Sequence, residues 1–535
     1  VNRMYLTLLW IGAIVLALYL YFRQRYTSFS RHGIKHFTPV PLFGNMTKII
    51  LKMEHFSDAV ERDYKSFPGE RFVGRYEFMN RQLVIRDLEL IKKITVKDFE
   101  HFLDHRSLID QDSDPLFGRN LVALKGQEWK DMRSTLSPAF TSSKIRLMVP
   151  FMVEVGEQMI KALREKSQES QLGYIDVDVK DMTTRYANDV VASCAFGLKV
   201  DSHMEVDNNF YENVKNASTF TFKQLLLFFG FLSAPKLMKL LKMSLFSDQS
   251  KHFFRHLVMS TMQDREEKNI IRPDMIHLLM EAKKGRLTHE DKTTQDVDAG
   301  FATVEESNVG KKVINREWTD DDLIAQAILF FIAGFETVSS AMSFLLHELA
   351  VNPDVQQKLY QEIMENEDKN GGKFDYTSIQ QMTYMDMVVS ESLRLWPPAI
   401  ALDRLCIKDY NCGKPNDKAK EDFILRKGDG VGIPVWGIHR DPQYFPDPLK
   451  FDPERFSDEN KHKIHPFSYM PFGLGPRNCI GSRFALCEVK VMAYQLLKEM
   501  ELSPAAKTCI PAKLSTETFN IKLEGGHWVR MTPRH

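Results

Sequence analysis

Pro471-Phe472-Gly473-Leu474-Gly475-Pro476-Arg477-Asn478-Cys479-Ile480-Gly481 is the stretch on which the reading of this chain turns. Its glycines and prolines make a stiff loop of unusual backbone. The apolar residues after it (Phe484, Ala485, Leu486, Val489) read as a helix beginning near Gly481. A cysteine at the mouth of that helix meets the positive end of the helix dipole and free N–H groups, both of which stabilise a thiolate. Arg477 adds positive charge just upstream. A thiolate held by backbone donors in apolar surroundings is a strongly donating ligand for a haem iron. The same local chemistry also fits a small, inert, buried hydrophobe, the commoner fate of a cysteine.

The whole chain sets the frame for that cysteine. Its 535 residues are 43% hydrophobic and 27% charged, an ordinary globular composition with length for a large core. Basic and acidic residues balance at 71 each, so the basic excess of a nucleic-acid binder is missing. The other cysteines (Cys194, Cys406, Cys412, Cys487, Cys509) are scattered, with no CxxC pair and no Cys/His cluster. Neither a disulfide framework nor a zinc site is expected, and these five read as reduced thiols.

Residues 5–22 are apolar and uncharged, about 27 Å long as a helix and close to the hydrocarbon thickness of a bilayer. A cleaved signal peptide is the competing reading, but the run is long for one and no small-residue cleavage site follows it. Arg23, Arg25, Arg31 and Lys35 lie after the run against Arg3 before it, so the positive-inside rule keeps the bulk of the chain cytoplasmic. Residues 1–22 are expected to be a retained transmembrane signal anchor, 23–45 a basic, proline-rich linker acting as a stiff spacer, and 46–535 one globular domain.

Short β-type runs are expected at 71–76 and 82–85, and a mainly helical pattern from 91 to about 254. Residues 284–317 are polar and read as an exposed connection. Thr319 should cap a long helix, with Asp320, Asp321 and Asp322 in its first turn and an apolar run over 323–346 continuing to about 352. That helix is too apolar for a surface position and should be central. Further helices are expected at 354–367 and 384–395, the latter stopped by Pro397-Pro398, and a hairpin from 519–523 and 527–531 around Gly525-Gly526. The class is mainly α with small β-sheets.

Phe472-x-x-Gly475-x-Arg477-x-Cys479-x-Gly481 resembles, at each defining position, the haem-binding signature of the cytochrome P-450 family. Other motifs stand upstream in that family's order. Glu391 and Arg394 lie at i and i+3 on a helix otherwise rich in Val388, Val389, Leu393 and Leu395, where a charge needs a partner. They resemble the family's ExxR motif, and Arg455 resembles the third member of its Glu–Arg–Arg network. Trp129 and Arg133 resemble the WxxxR motif. The resemblance makes these two, with Arg404 and Arg477, donors to the haem propionates, and His105 or Arg106 a further one. Ala333-Gly334-Phe335-Glu336-Thr337 resembles the oxygen-binding groove, in which Ala333 and Gly334 leave room while Glu336 and Thr337 relay protons. From the residues alone, a Thr337 hydroxyl bonded back to the Ala333 carbonyl and a Glu336 satisfied in the core are equally open.

The resemblance implies a single-domain cytochrome P-450 fold behind one anchor, haem b ligated by Cys479, and insertion of one oxygen atom of O2 into lipophilic molecules. With no GxGxxG or Walker motif, electrons from NADPH are expected through a separate reductase in the endoplasmic reticulum membrane, with cytochrome b5 as a further donor. Lys125, Lys130, Arg483 and Lys490 are candidates for the docking face. The pocket should draw on the loop between Phe102 and Phe117, residues 220–231, 330–335, 398–402 and 515–518, and the apolar stretch 220–246 is either core or a lid dipping into the bilayer. The wording of the motifs resembles insect microsomal members that oxidise xenobiotics, which points to insecticides or plant toxins. Hormone or pheromone metabolism, a haem-thiolate isomerase or dehydratase acting on peroxides, and a non-catalytic haem sensor are the alternatives.

Overall fold

A computed structural model describes residues 2–106, 114–205, 208–218, 227, 230–231, 235–241, 243–244, 247–284, 300–307, 309, 317–372 and 374–534. The 32-residue helix Asp320–Val351 begins at a capping box, in which Thr319 Oγ1 accepts from the Asp322 amide and the Asp322 carboxylate accepts from the Thr319 amide. It is apolar on nearly every side because other elements surround it. The helices Val179–Val191, Asp248–Lys268, Thr383–Leu395 and Ser482–Glu499 all pack against it. Phe331, Phe335, Met342, Leu345 and Leu346 are buried along its length, each contributing about 1.5–3 kcal/mol by leaving water.

Among the described residues, two helices are long and apolar enough to cross a membrane: this one and the N-terminal helix. The first is mostly buried, a core helix. The second, Asn2–Tyr26, exposes its apolar residues from Tyr5 to Tyr21 and carries Arg23 and Arg25 in its last turn.

Small sheets complete the fold. The larger runs in the order Phe72–Glu77, Asn80–Ile85, Gly430–Ile433, Leu402–Leu405. Its inner pair is parallel (Leu83 beside Val431), and its last strand is antiparallel (Arg404 beside Val431). A second sheet places Trp528–Pro533 between Ile175–Asp178 and Met500–Pro504.

Two expectations are corrected here. The hairpin does not form: Leu523 makes an isolated bridge to Leu514, and the strand after Gly526 pairs with two remote segments. Alternation along a strand reports which face is buried and says nothing of its partner. Nor are residues 23–45 a spacer. The N-terminal helix continues to Tyr26, Tyr26 and Phe29 pack on Tyr76, and His36 and Gly44 bridge to Gly74 and Glu77. Phe72–Glu77 is an edge strand, and proline-stiffened extended backbone beside an open edge docks onto it.

Candidate active site

The loop 471–481 owes its shape to local rules. Gly473 and Gly475 hold positive φ values of 80° and 67°, and a Cβ at Gly475 would overlap the Thr95 carbonyl oxygen, so only glycine fits there. The Cys479 amide donates to the Phe472 carbonyl at 2.8 Å, closing the loop on itself. Gly481 then caps the helix Ser482–Glu499. Cys479 is exposed, but to a cavity deep in the fold and not to the outer surface. Burial raises its thiol pKa, while a hydrogen bond from the Gly481 amide and the charge of Arg133 lower it. The other cysteines are also free. Burial pushes the Cys406 thiol up to about 11 and those of Cys412 and Cys487 to about 12, which keeps these three inert.

The cavity that Cys479 faces has a volume of about 400 Å³, within the roughly 300–1,000 Å³ usual for ligand and cofactor sites. The central helix contributes Phe330, Ala333, Gly334 and Thr337 to its wall. Thr337 Oγ1 donates to the Ala333 carbonyl at 2.5 Å. Glu336 does not reach the cavity. Its carboxylate meets Lys180 Nζ at 3.2 Å, and Lys180, buried, also donates to Ser339 and Ser340 at 2.7 and 3.0 Å. Burial lowers the Lys180 pKa and the Glu336 charge partly offsets this.

Positive charge gathers in the same wall. Trp129, Arg133, Arg404, Arg477 and His105 all line the cavity. The Arg477 guanidinium lies over the Trp129 ring, 4.0 Å from its centroid, and donates to the carbonyls of Leu103, Leu121 and Leu124. Burial and then the neighbouring Arg404 pull its pKa down to about 9, and burial lowers Arg404 as well. Arg404 is held by the carbonyls of Asp403 and Leu474, and Arg477 by its three carbonyls with Asp104 further off at 3.6 Å, so a buried wall this rich in arginine suits the negative charge that a haem with two propionates brings. The sulfur facing the cavity and this cation-rich wall fit that group: Cys479 would ligate its iron, and Trp129, Arg404 and Arg477 would face its carboxylates, while Arg133, expected beside them and in the same wall, is bonded to Glu306 and Asn478. Of the two candidates for a further contact, His105 lines the cavity and Arg106 does not. His105 Nδ1 lies 2.9 Å from Asp403, while Arg106 turns away to Glu77 at 2.6 Å.

The Cytochrome P450 family model matches residues 34–526, a span that holds the loop, the cavity and both sheets except the strand Trp528–Pro533. The chain belongs to the cytochrome P450 family. It is 45% identical to "Cytochrome P450 9e2" of Blattella germanica over 98% of this chain and 97% of that protein. It is 44% identical to "Probable cytochrome P450 9f2" of Drosophila melanogaster over 95% of each, and 40% identical to "Cytochrome P450 9b2" of the same insect over 93% and 92%. A P450 is a monooxygenase that uses haem with a cysteine thiolate ligand and O2.

The buried network expected of a P450 is assembled on the cysteine side. Glu391 and Arg394 are both fully buried and meet in a double hydrogen bond of 2.7 and 2.8 Å. The Asp452 amide donates to Glu391 at 2.9 Å, Arg455 Nε approaches it to 3.4 Å, and Arg394 donates on to the His439 carbonyl at 2.8 Å. His439 in turn accepts from the Met470 amide at 2.9 Å, one residue before the cysteine loop.

Other expectations fare unevenly in this P450. Pro398, Ala399 and Leu402 line the wall as expected, whereas Ser515–Thr518 and Phe117 do not. Residues 107–113 and most of 220–231 and 220–246 lie outside the described residues. Lys490 is no docking residue: it is fully buried and pairs with Asp386 at 3.0 Å. Lys130 pairs with Glu100 at 2.7 Å, Lys125 is exposed and Arg483 half-buried. The wall also includes Val191, Met148, Cys194 and Met275 from elements carrying no motif, and nothing in their spacing distinguishes them from core.

Proposed function

We propose that this P450 inserts one oxygen atom of O2 into lipophilic small molecules, xenobiotics such as insecticides or plant toxins foremost. Its electrons would come from NADPH through a separate membrane-bound reductase, with cytochrome b5 as a second donor. The observation that carries this is the opening of the Cys479 sulfur into a cavity that also holds Ala333, Gly334 and Thr337 and is otherwise mostly apolar, with Phe140, Met148, Phe330, Val338 and Ala399 in its wall. Such a wall selects by apolar area and shape more than by hydrogen bonds.

When bound, the haem supplies dioxygen binding and electron storage, and the thiolate donates electron density to it. The chain's own residues do the rest. The Gly481 amide and Arg133 stabilise the charge on Cys479. Ala333 and Gly334 keep the groove open. The Thr337 hydroxyl, held on the Ala333 carbonyl, is one rotamer away from donating its proton into the cavity. Glu336, one residue before it on the same helix, is tied to Lys180 at 3.2 Å and is turned from the cavity. The exposed apolar helix with Arg23 and Arg25 at its end supports an anchor in the endoplasmic reticulum membrane, with the P450 domain on the cytoplasmic side.

The test is the reduced carbon monoxide difference spectrum of the wild type and Cys479→Ala. A red-shifted Soret band in the wild type and its loss in the variant are expected, and the same band in both would give the ligand to another residue. Product formed from peroxides without NADPH would favour an isomerase or dehydratase, and a thiolate spectrum without turnover a sensor. A spin-state titration against insecticides, plant toxins and hormone or pheromone candidates then separates the substrate classes.

A further inference from the structure

Residues 300–307 are polar in sequence and expected to be an exposed connection, yet they lie docked on the cysteine side of the molecule. The Phe301 ring packs against Phe456 and Tyr469 at 5.1 and 5.5 Å, Ala302 is only 4% exposed, and the Phe301 amide donates to Asp386 at 2.9 Å. Two contacts then reach the residue beside the ligand. The Glu305 carbonyl accepts from Asn478 Nδ2 at 3.0 Å. The Glu306 carboxylate grips Arg133 through two hydrogen bonds, 2.6 and 3.1 Å, and Arg133 donates onward to the Asn478 carbonyl and side-chain oxygen, both at 2.8 Å.

We infer that residues 300–307 form a brace built into the cysteine-side face, and that Glu306 is a positioning residue for the thiolate. It holds Arg133 against Asn478, which fixes the backbone that presents Cys479. It also balances the charge that Arg133 would otherwise bring unopposed toward the sulfur. The Arg133 side chain is 3% exposed and that of Glu306 21%, so the pair is shielded from water and is stronger than a surface ion pair. Partners one step removed from a metal ligand set its orientation and the metal's redox poise. The inference rests on Cys479 being the ligand.

Glu306→Gln keeps the side chain's shape and removes its charge. In the haem-loaded protein its midpoint potential should move positive, because loss of an anion near the iron favours the reduced state, and Glu306→Asp should restore much of the difference. Phe301→Ala loosens the brace without touching a charge and should shift the potential the same way by less. The carbon monoxide spectrum should keep its thiolate position in all three, showing fold and ligand intact. Before haem is loaded, amide exchange over residues 472–481 should quicken by about tenfold or more in Glu306→Gln, as expected for losing a charged hydrogen-bond partner. Wild-type potential and wild-type exchange in Glu306→Gln would overturn the brace. If instead the wild type lacked a thiolate spectrum, the ligand assignment would fail, and the exchange measurement would still decide the brace.

Discussion

Glu391 and Arg394 have no water to turn to if either loses its partner, since both side chains are fully buried. Glu391→Ala strands the Arg394 guanidinium and should cost about 3–5 kcal/mol, read as a lower urea midpoint with reduced haem content. Glu391→Gln should cost less, because it still accepts from the Asp452 amide. An Ala variant as stable as the wild type would remove the network from the fold's supports. His439 shows the same principle through protonation. Its Nε2 accepts from Met470, so the ring is neutral and Nδ1 donates to the Arg394 carbonyl at 3.1 Å. Burial, then the charge of Arg394, holds its pKa down to about 3 from an ordinary 6.5. Between these values the folded state binds fewer protons than the unfolded chain, so stability is lost as pH falls through that window. His439→Gln should flatten the fall of the thermal midpoint between pH 6.5 and 4, and an unchanged slope would assign the acid sensitivity elsewhere.

At the scale of elements, the cysteine loop is held by backbone that tolerates no side chain. Gly475→Ala demands a left-handed alanine and a Cβ inside the Thr95 carbonyl. It should lower the melting temperature and haem occupancy together, the strain alone costing about 1–2 kcal/mol. Gly473→Ala, whose Cβ would have room, should be milder in the same assay. What was legible in the sequence follows this division. The start of the central helix could be read at Thr319 because capping is chemistry within four residues. Cys479, Glu391 and Arg394 stood in short patterns for the same reason, and Arg455 in a nearby one. Glu306 could not be read, since a carboxylate in a polar stretch looks like any solvated acid until Arg133 is brought to it by the fold. Lys180 was invisible for the same cause, its partner Glu336 lying on another helix. Lys490 was misjudged because a lysine tolerates burial where Asp386 meets it, and sequence shows only the lysine.

For the molecule as a whole, the globule begins earlier in the chain than the expected residue 46, because the exposed N-terminal helix runs straight into the packed residues Tyr26 and Phe29. Deleting residues 2–20 removes exposed apolar turns and should leave the unfolding midpoint unchanged while moving the protein out of the membrane pellet. Deleting 2–30 also removes Tyr26, whose hydroxyl donates to the Phe78 carbonyl at 3.1 Å, and Phe29, which is 2% exposed. Loss of Phe29 packing alone should cost about 3–5 kcal/mol, and equal midpoints for the two truncations would mean that this segment adds nothing to the globule. The sheets carry a different consequence, for biosynthesis. Val177 pairs with Val529, which the ribosome adds about 350 residues and, at 5–20 residues per second, roughly 20–70 s later. Through that interval Ile175-Asp176-Val177-Asp178 is a nascent strand without its neighbour, and its two aspartates are the charges that discourage a wrong one. Asp176 then serves twice, first repelling strangers and finally receiving Arg530 at 2.9 Å when the proper strand arrives.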